Sequence, residues 1–185
     1  MFEAKRKSIH FLGLSVPAVY YATSREVTIL LVACAVLCAV LIEMARLKWP
    51  TVNDCVFALI GGYTREHEHT RITGATYFSV AALAAVVLFS QNVAVASLLF
   101  LTLGDSAAAL VGTQVGHHKL HEKSVEGSLA CFIVCSIVGY LFLGWIGVVG
   151  AAVATVAELA PVPADDNVRI PLVSGGVMQV IVLFG

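Results

Sequence analysis

ITGATYFSVAALAAVVLFSQNVAVASLLFLTLGD, residues 72–105, carries no acidic or basic side chain until its final aspartate. Arg71 and Asp105 enclose 33 uncharged residues, and Glu126 and Glu158 enclose another 31. One membrane-crossing helix uses about 20 apolar residues. Each run is therefore read as two short spans folded at a break, the first at Ser90-Gln91-Asn92 and the second at Gly144 within LGWIG, residues 143–147.

The rest of the 185-residue chain agrees. It is 59% hydrophobic and 12% charged, with a mean hydropathy of +0.91, against roughly 45–50% apolar and about 25% charged in soluble domains. The expectation is an all-α, polytopic integral membrane protein, one domain over residues 1–185, with about seven transmembrane helices. The spans are placed near 8–22, 26–46, 73–90, 93–116, 127–143, 145–161 and 167–184. The first is short and carries His10 and Pro17, and a secretory signal is its rival reading, although no small-x-small cleavage site follows.

With the N-terminus inside, the cytoplasmic side holds Lys5, Arg6, Lys7, Arg46, Lys48, Arg65, Arg71, Lys119, Lys123 and Arg169, and the outer side only Arg25. That bias follows the positive-inside rule and predicts a multi-pass protein of the cell membrane with its polar loops in the cytoplasm. Cys34/Cys38 and Cys131/Cys135 stack four apart within spans, Cys55 stands alone, and all five read as packing residues. No internal repeat is visible, which argues against transporters built from repeated halves. Nothing points to a nucleic-acid partner. The oligomeric state is open.

TVNDCVFALIGGY, residues 51–63, places Val52, Val56, Leu59 and Ile60 near one helical face, suited to the inner membrane surface, and Gly61-Gly62 ends it. In TREHEHTRITGATYF, residues 64–78, His67 and His69 form a nominal metal pair but read better as solvated. Arg65 and Glu68 are spaced as an i,i+3 pair. Further on, Gly104, Ala108, Gly112 and Gly116 form a small-residue stripe suited to close helix packing. Asp105 lies beside that stripe. A carboxylate at membrane depth costs roughly 2.5–3.5 kcal/mol on insertion scales, so it is either functional or salt-bridged to another span.

Three polar elements converge on the inner face in this topology: Asp105, the loop GHHKLHEKSVEGS at residues 116–128, and ELAPVPADDNVRIPL at residues 158–172. The loop enters a helix at about Ser124 or Val125, with Ser124 as N-cap. Free N–H groups at a helix start, beside Lys119 and Lys123, suit phosphate. It is not a Walker loop, because Glu122 stands where that motif has glycine before the Lys-Ser pair. A cationic loop with carboxylates such as Asp105, Glu126 and Asp166 is the layout for a nucleotide with Mg²⁺, the lysines on phosphate and the acids on the cation.

GDSAAALVGTQVGHHKLHEKSVEGSLA, residues 104–130, resembles the GD–A–G–G–K[ST]–EGS–A pattern of the CTP-dependent lipid kinases. That family includes dolichol kinase, phytol kinase and the CTP-using diacylglycerol kinase, and is more distantly similar to phosphatidate cytidylyltransferases. RKSIHFLG at 6–13, TGATYF at 73–78 and DDNVRIPL at 165–172 extend the resemblance along the chain. It covers the part similar to the carboxy-terminal half of eukaryotic dolichol kinases, as in a minimal prokaryotic member.

The resemblance implies CTP as phosphate donor, a divalent cation, and a membrane lipid alcohol as acceptor: a polyprenol, dolichol, another isoprenoid alcohol or diacylglycerol. Asp105, Lys123, Ser124, Glu126, Gly127, Ser128, Asp166 and Asn167 match the shared core, with Lys7 and His10 at the amino-terminal element. The expected roles follow. Lys119, Lys123, Ser124, Glu126, Gly127, Ser128 and Asn167 hold the nucleotide. Asp105, Glu126, Asp165 and Asp166 hold the metal. Asp105, Lys123, Glu126, Asp166 and His10 carry the chemistry. The rivals are a cytidylyltransferase, attacking the α-phosphate with a lipid phosphate, and a small transporter or scaffold without chemistry.

Overall fold

Chain breaks and caps divide the apolar sequence into helices at the places their residues dictate. The computed structural model describes residues 11–64, 66–120 and 123–185. A 3₁₀ turn, Phe11–Leu14, leads into α1 (Ser15–Ala22). Ser24 then accepts a hydrogen bond from the Val27 N–H at 3.4 Å and starts α2 (Arg25–Lys48). Arg46 and Lys48 stand in its last turn, where cations meet the negative end of the helix. Pro50 occupies the first turn of α3 (Pro50–Ile60), where its missing N–H costs nothing.

The two long uncharged runs fold as the length argument requires. The first becomes α4 (Gly74–Leu88) and α5 (Gln91–Gln114), separated by Phe89-Ser90. The second becomes α6 (Val125–Leu143) and α7 (Trp145–Leu159), joined by Gly144 at φ +59°, a backbone that L side chains rarely adopt. α8 (Asp166–Phe184) begins at an Asp165 cap, and Pro171 within it has no N–H to offer the Asn167 carbonyl four residues back. The protein is an all-α polytopic membrane protein. By length and composition α2, α5, α6 and α8 can each cross a membrane, and Leu12–Ala22, α4 and α7 are shorter apolar helices. The first expected span, 8–22, begins outside the described residues, as do Lys5, Arg6, Lys7, His10 and Arg65.

α5 is the central post, with Leu98, Phe100 and Leu101 fully buried. α4 joins the core around it with Ala82, Ala85 and Val86, and α7 and α8 close that core with Ala151, Ala154, Ile170 and Met178. α6 and α7 lie against each other at Gly139 and Gly147: a Cβ on Gly139 would stand 2.4 Å from the Gly147 carbonyl oxygen. The small-residue stripe on α5 faces α6, with Gly104 against Cys131 and Cys135 and Gly112 against Ser124. α2 leaves Leu30, Leu31, Leu37 and Leu41 exposed on its outer face, as suits contact with lipid.

In α3, Phe57 is the buried residue, and Leu59, on the face expected to meet the membrane surface, is 77% exposed. The Arg46 guanidinium lies 5.3 Å from the centre of the Phe57 ring, and His69 stacks on that ring at 3.7 Å. His69 remains exposed while stacked on Phe57, and His67 is exposed too, in keeping with the solvated reading.

Antiparallel threading gives the bundle two distinct ends. At one, Arg25 donates to the carbonyls of Val86 and Val87, Gln91 donates to the Tyr20 carbonyl at 2.7 Å, and Gln179 accepts from the Ser90 N–H at 2.7 Å. The start of α4, the end of α5 and the polar segments around residues 119–128 and 158–169 gather at the other.

Candidate active site

Two two-residue strands, β1 (Lys119–Leu120) and β2 (Lys123–Ser124), pair antiparallel where the sequence suggested a loop. Ser124 caps α6 as expected: its Oγ accepts from the Gly127 N–H at 3.1 Å, and its carbonyl accepts from Ser128 Oγ at 3.1 Å. The Val125 N–H is taken by the His118 carbonyl at 3.0 Å. The helix start therefore offers fewer free donors than expected, and the charged groups nearby are carried by side chains.

Those side chains line a cleft of about 960 Å³ that brings together Asp105, Lys119, Lys123, Ser124, Gly127, Ser128, Asp165 and Asp166. Lys123 is its hub. Its ammonium lies 2.9 Å from Glu158 Oε1 and 3.3 Å from Asp166 Oδ2, and it also donates to the Glu158 carbonyl. Asp166 Oδ1 pairs with Arg169, whose Nη1 reaches the Ala160 and Val162 carbonyls at 2.8 and 3.2 Å. Ser128 Oγ donates to Glu158 Oε2 at 3.4 Å. Glu158 was recognised in the sequence only as part of a polar segment. Its signal was its position: like Asp105, it ends a long uncharged run.

A second cavity, of about 400 Å³, is mostly apolar and is lined by Leu12, Gly13, Ile60, Phe78 and Asn167, among others. Asp105 and Asp166 line both volumes, so the two meet at a pair of carboxylates. Asn167 belongs to this second cavity, where its Nδ2 donates to Asp165 Oδ1 at 2.7 Å. The backbone aims Asp105. Residues Phe100–Gly104 form a π-helical turn, and the Asp105 N–H donates to the Phe100 carbonyl five residues back, a wide turn frequent at functional sites.

Two expectations fare differently. Glu126 is absent from the lining of both cavities. Its carboxylate is engaged by His118, accepting from Nδ1 at 2.7 Å and from the backbone N–H at 3.2 Å. His10 lies outside the described residues.

For a divalent cation, no three acidic, histidine or cysteine side chains converge among the described residues. Asp165 is partly spent as the cap of α8, accepting from the Asn167 N–H at 2.9 Å, and Asp166 is held by two cations. The donor set fits Mg²⁺ carried in on a nucleotide and met by one or two carboxylates, rather than a dedicated protein cage. Phosphate fits independently: Arg169 Nε is buried beside the cleft without a hydrogen-bond partner among the described residues, a donor that an anionic oxygen would satisfy.

A buried polar network that no sequence pattern announced holds the wall of the second cavity. Glu43 Oε1 accepts from the Thr73 N–H at 3.0 Å, Thr73 Oγ1 at 2.6 Å and Thr76 Oγ1 at 3.0 Å. Arg46 pairs with Glu43 and donates to the Glu68 carbonyl at 2.9 Å and to the Arg71 carbonyl. His67 lines the larger cleft.

Comparison with known proteins bears directly on this geometry. The chain is 27% identical over 143 residues to CTP-dependent diacylglycerol kinase 1 of Saccharomyces cerevisiae, covering 75% of this chain and 49% of that one. It is 31% identical over 152 residues to a probable chloroplastic phytol kinase of Triticum aestivum, covering 69% and 50%. The chain is related to the CTP-dependent lipid kinases. It spans about half the length of these curated kinase relatives. An uncharacterized protein of Methanocaldococcus jannaschii matches at 29% identity over 180 residues, 94% of this chain and 91% of that protein. No family model matches the chain, and no solved structure matches it significantly.

Proposed function

We propose that residues 1–185 form one membrane-embedded kinase unit that transfers the γ-phosphoryl group of CTP to a lipid alcohol, polyprenol-, dolichol- or diacylglycerol-like, at the cytoplasmic face. The observation that carries this is the junction of a cationic cleft with an apolar cavity at Asp105 and Asp166. A polar polyphosphate and a membrane-soluble alcohol need two such compartments meeting at one point.

CTP lies in the larger cleft, its phosphates against Lys119, Lys123 and Arg169. Phosphoryl transfer asks a protein chiefly for positioning and for neutralising charge. The acceptor hydroxyl oxygen bonds the γ-phosphorus as the bond from that phosphorus to its bridging oxygen breaks. CDP leaves with the electron pair, and the hydroxyl proton passes to the Asp105 carboxylate. Mg²⁺, with Asp105, Asp165 or Asp166 among its ligands, would neutralise charge on the phosphate oxygens. The preference for CTP rests on the relatives' names. The cytoplasmic placement rests on Arg25 lying at one end of α2 while Lys119, Lys123 and Arg169 line the cleft at the other end of the bundle.

A cytidylyltransferase would bring an anionic lipid phosphate to the same junction. Among the described residues, the apolar cavity is lined by Glu68, Asp105 and Asp166 and by no lysine or arginine, which favours a neutral acceptor. The test is the purified full chain in detergent with CTP labelled at the α or the γ position and a panel of lipid acceptors. Label from γ in the lipid, with CDP released, is the expected result. Label from α in the lipid overturns the kinase reading.

A further inference from the structure

The cations of the larger cleft do not stand alone. Among the described residues, Lys119, Lys123 and Arg169 share its lining with the carboxylates of Asp105, Glu158, Asp165 and Asp166. Of these acids, Asp166 holds two of the cations at once. It stands in the first turn of α8, three residues before Arg169, and reaches Lys123 on β2. Its Oδ2 lies 3.3 Å from the Lys123 ammonium and its Oδ1 pairs with Arg169, so one carboxylate joins cations from two elements. Lys123, Asp166 and Arg169 are 29%, 22% and 10% exposed, so solvent screens them less than it would at an open surface. A phosphate oxygen drawn to Lys123 and Arg169 therefore meets a like charge in contact with both.

We propose that Asp166 makes this cleft bind metal-complexed triphosphate in preference to free triphosphate. This rests on the reading of the larger cleft as the nucleotide site and adds which ionic form that site accepts. A bare polyphosphate has to displace the Asp166 carboxylate from Lys123 and Arg169, or sit beside it at the cost of repulsion. Toward a polyphosphate that already carries Mg²⁺, the same carboxylate is attractive, because that ion takes one or two carboxylates along with phosphate oxygens. Discrimination of this kind comes from a repulsive element set against the wrong ligand. By linkage, the residue also couples the affinity for the cation to the affinity for the triphosphate.

The experiment reads binding rather than turnover: titration calorimetry on the purified full chain in detergent, with CTP in EDTA and with CTP in saturating Mg²⁺. The wild type should bind the Mg²⁺ complex at least about tenfold more tightly than free CTP. Asp166→Asn keeps the shape and removes the charge. It should bind free CTP about tenfold more tightly than the wild type does. It should bind the Mg²⁺ complex about tenfold more weakly. A general loss of negative charge would tighten both, and a damaged fold would weaken both. Opposite signs in the two buffers support the proposal, and any other pattern overturns it. Should D166N not fold, the wild type is titrated with inorganic tripolyphosphate instead. Binding about tenfold tighter in Mg²⁺ than in EDTA supports the proposal, and equal or weaker binding overturns it. A wild type that binds CTP in neither buffer overturns the nucleotide reading itself. Binding as expected without labelled lipid in the transfer assay supports the role of Asp166 and overturns the kinase reading.

Discussion

The Lys123 ammonium lies 2.9 Å from Glu158 Oε1, tying the strand before α6 to the last turn of α7. Glu158 is buried and Lys123 only partly exposed, so each fixes the other where solvent screens little. Removing one partner of such a pair strands the other. Glu158→Ala should cost up to about 3 kcal/mol of stability and raise the KM for CTP, with Glu158→Gln intermediate. Thermal unfolding in detergent and CTP kinetics measure both, and a double-mutant cycle with Lys123→Met isolates the coupling.

Asp105 makes a separate prediction because it sits where the two cavities meet. Asp105→Asn keeps the shape and removes the carboxylate proposed to accept the hydroxyl proton. Phosphoryl transfer should fall by about 10²–10⁴-fold with the melting temperature little changed. Wild-type turnover in this variant would mean that the hydroxyl proton leaves by another route.

Glu43 and Arg46 are both buried, 6% and 2% exposed, and hold the segment from Glu68 to Thr76. Arg46→Met should destabilise by roughly 3–5 kcal/mol, since it leaves Glu43 buried without its cation. Glu43→Leu combined with Arg46→Met should recover part of that loss. Chemical denaturation of the two proteins compares them directly.

At the α6–α7 crossing, Gly139→Ala drives a methyl group to within 2.4 Å of the Gly147 carbonyl oxygen. Backbone must shift, at a cost of about 1–3 kcal/mol. Gly62→Ala, which would meet nothing within 4 Å, serves as the control in the same unfolding assay.

The orientation is tested by labelling. In a background with the exposed Cys34, Cys38 and Cys55 replaced by serine, Lys119→Cys should react with a membrane-impermeant maleimide only in inside-out vesicles. Arg25→Cys should react only in right-side-out ones.

The helical frame was legible because membrane length is a hard constraint and its punctuation is written in residues of unlike chemistry. Ser90 and Gly144 stand at turns because one is polar and the other takes a positive φ. The gathering of Asp105, Lys123 and Asp166 was legible from the placement of charges between spans. The β1–β2 pair was not, since two-residue strands are too short to show alternation. Neither was the partnership of Glu43 with Thr73 and Thr76, thirty or more residues away. Glu126 is near Lys123 in sequence but lines neither cavity, and its carboxylate is held by His118.

The π-helical turn at Phe100–Gly104 takes up one residue more than an α-helical turn holds. The half before it is keyed to the hydrocarbon core, and the half after it presents Asp105 to both cavities. Deleting one residue within the turn would leave an unbroken α-helical ladder with the half beyond it facing as before. Deleting one earlier in α5 would instead swing everything beyond the cut by about 100° about the axis. The carboxylate would then leave the junction although no atom of it had been replaced.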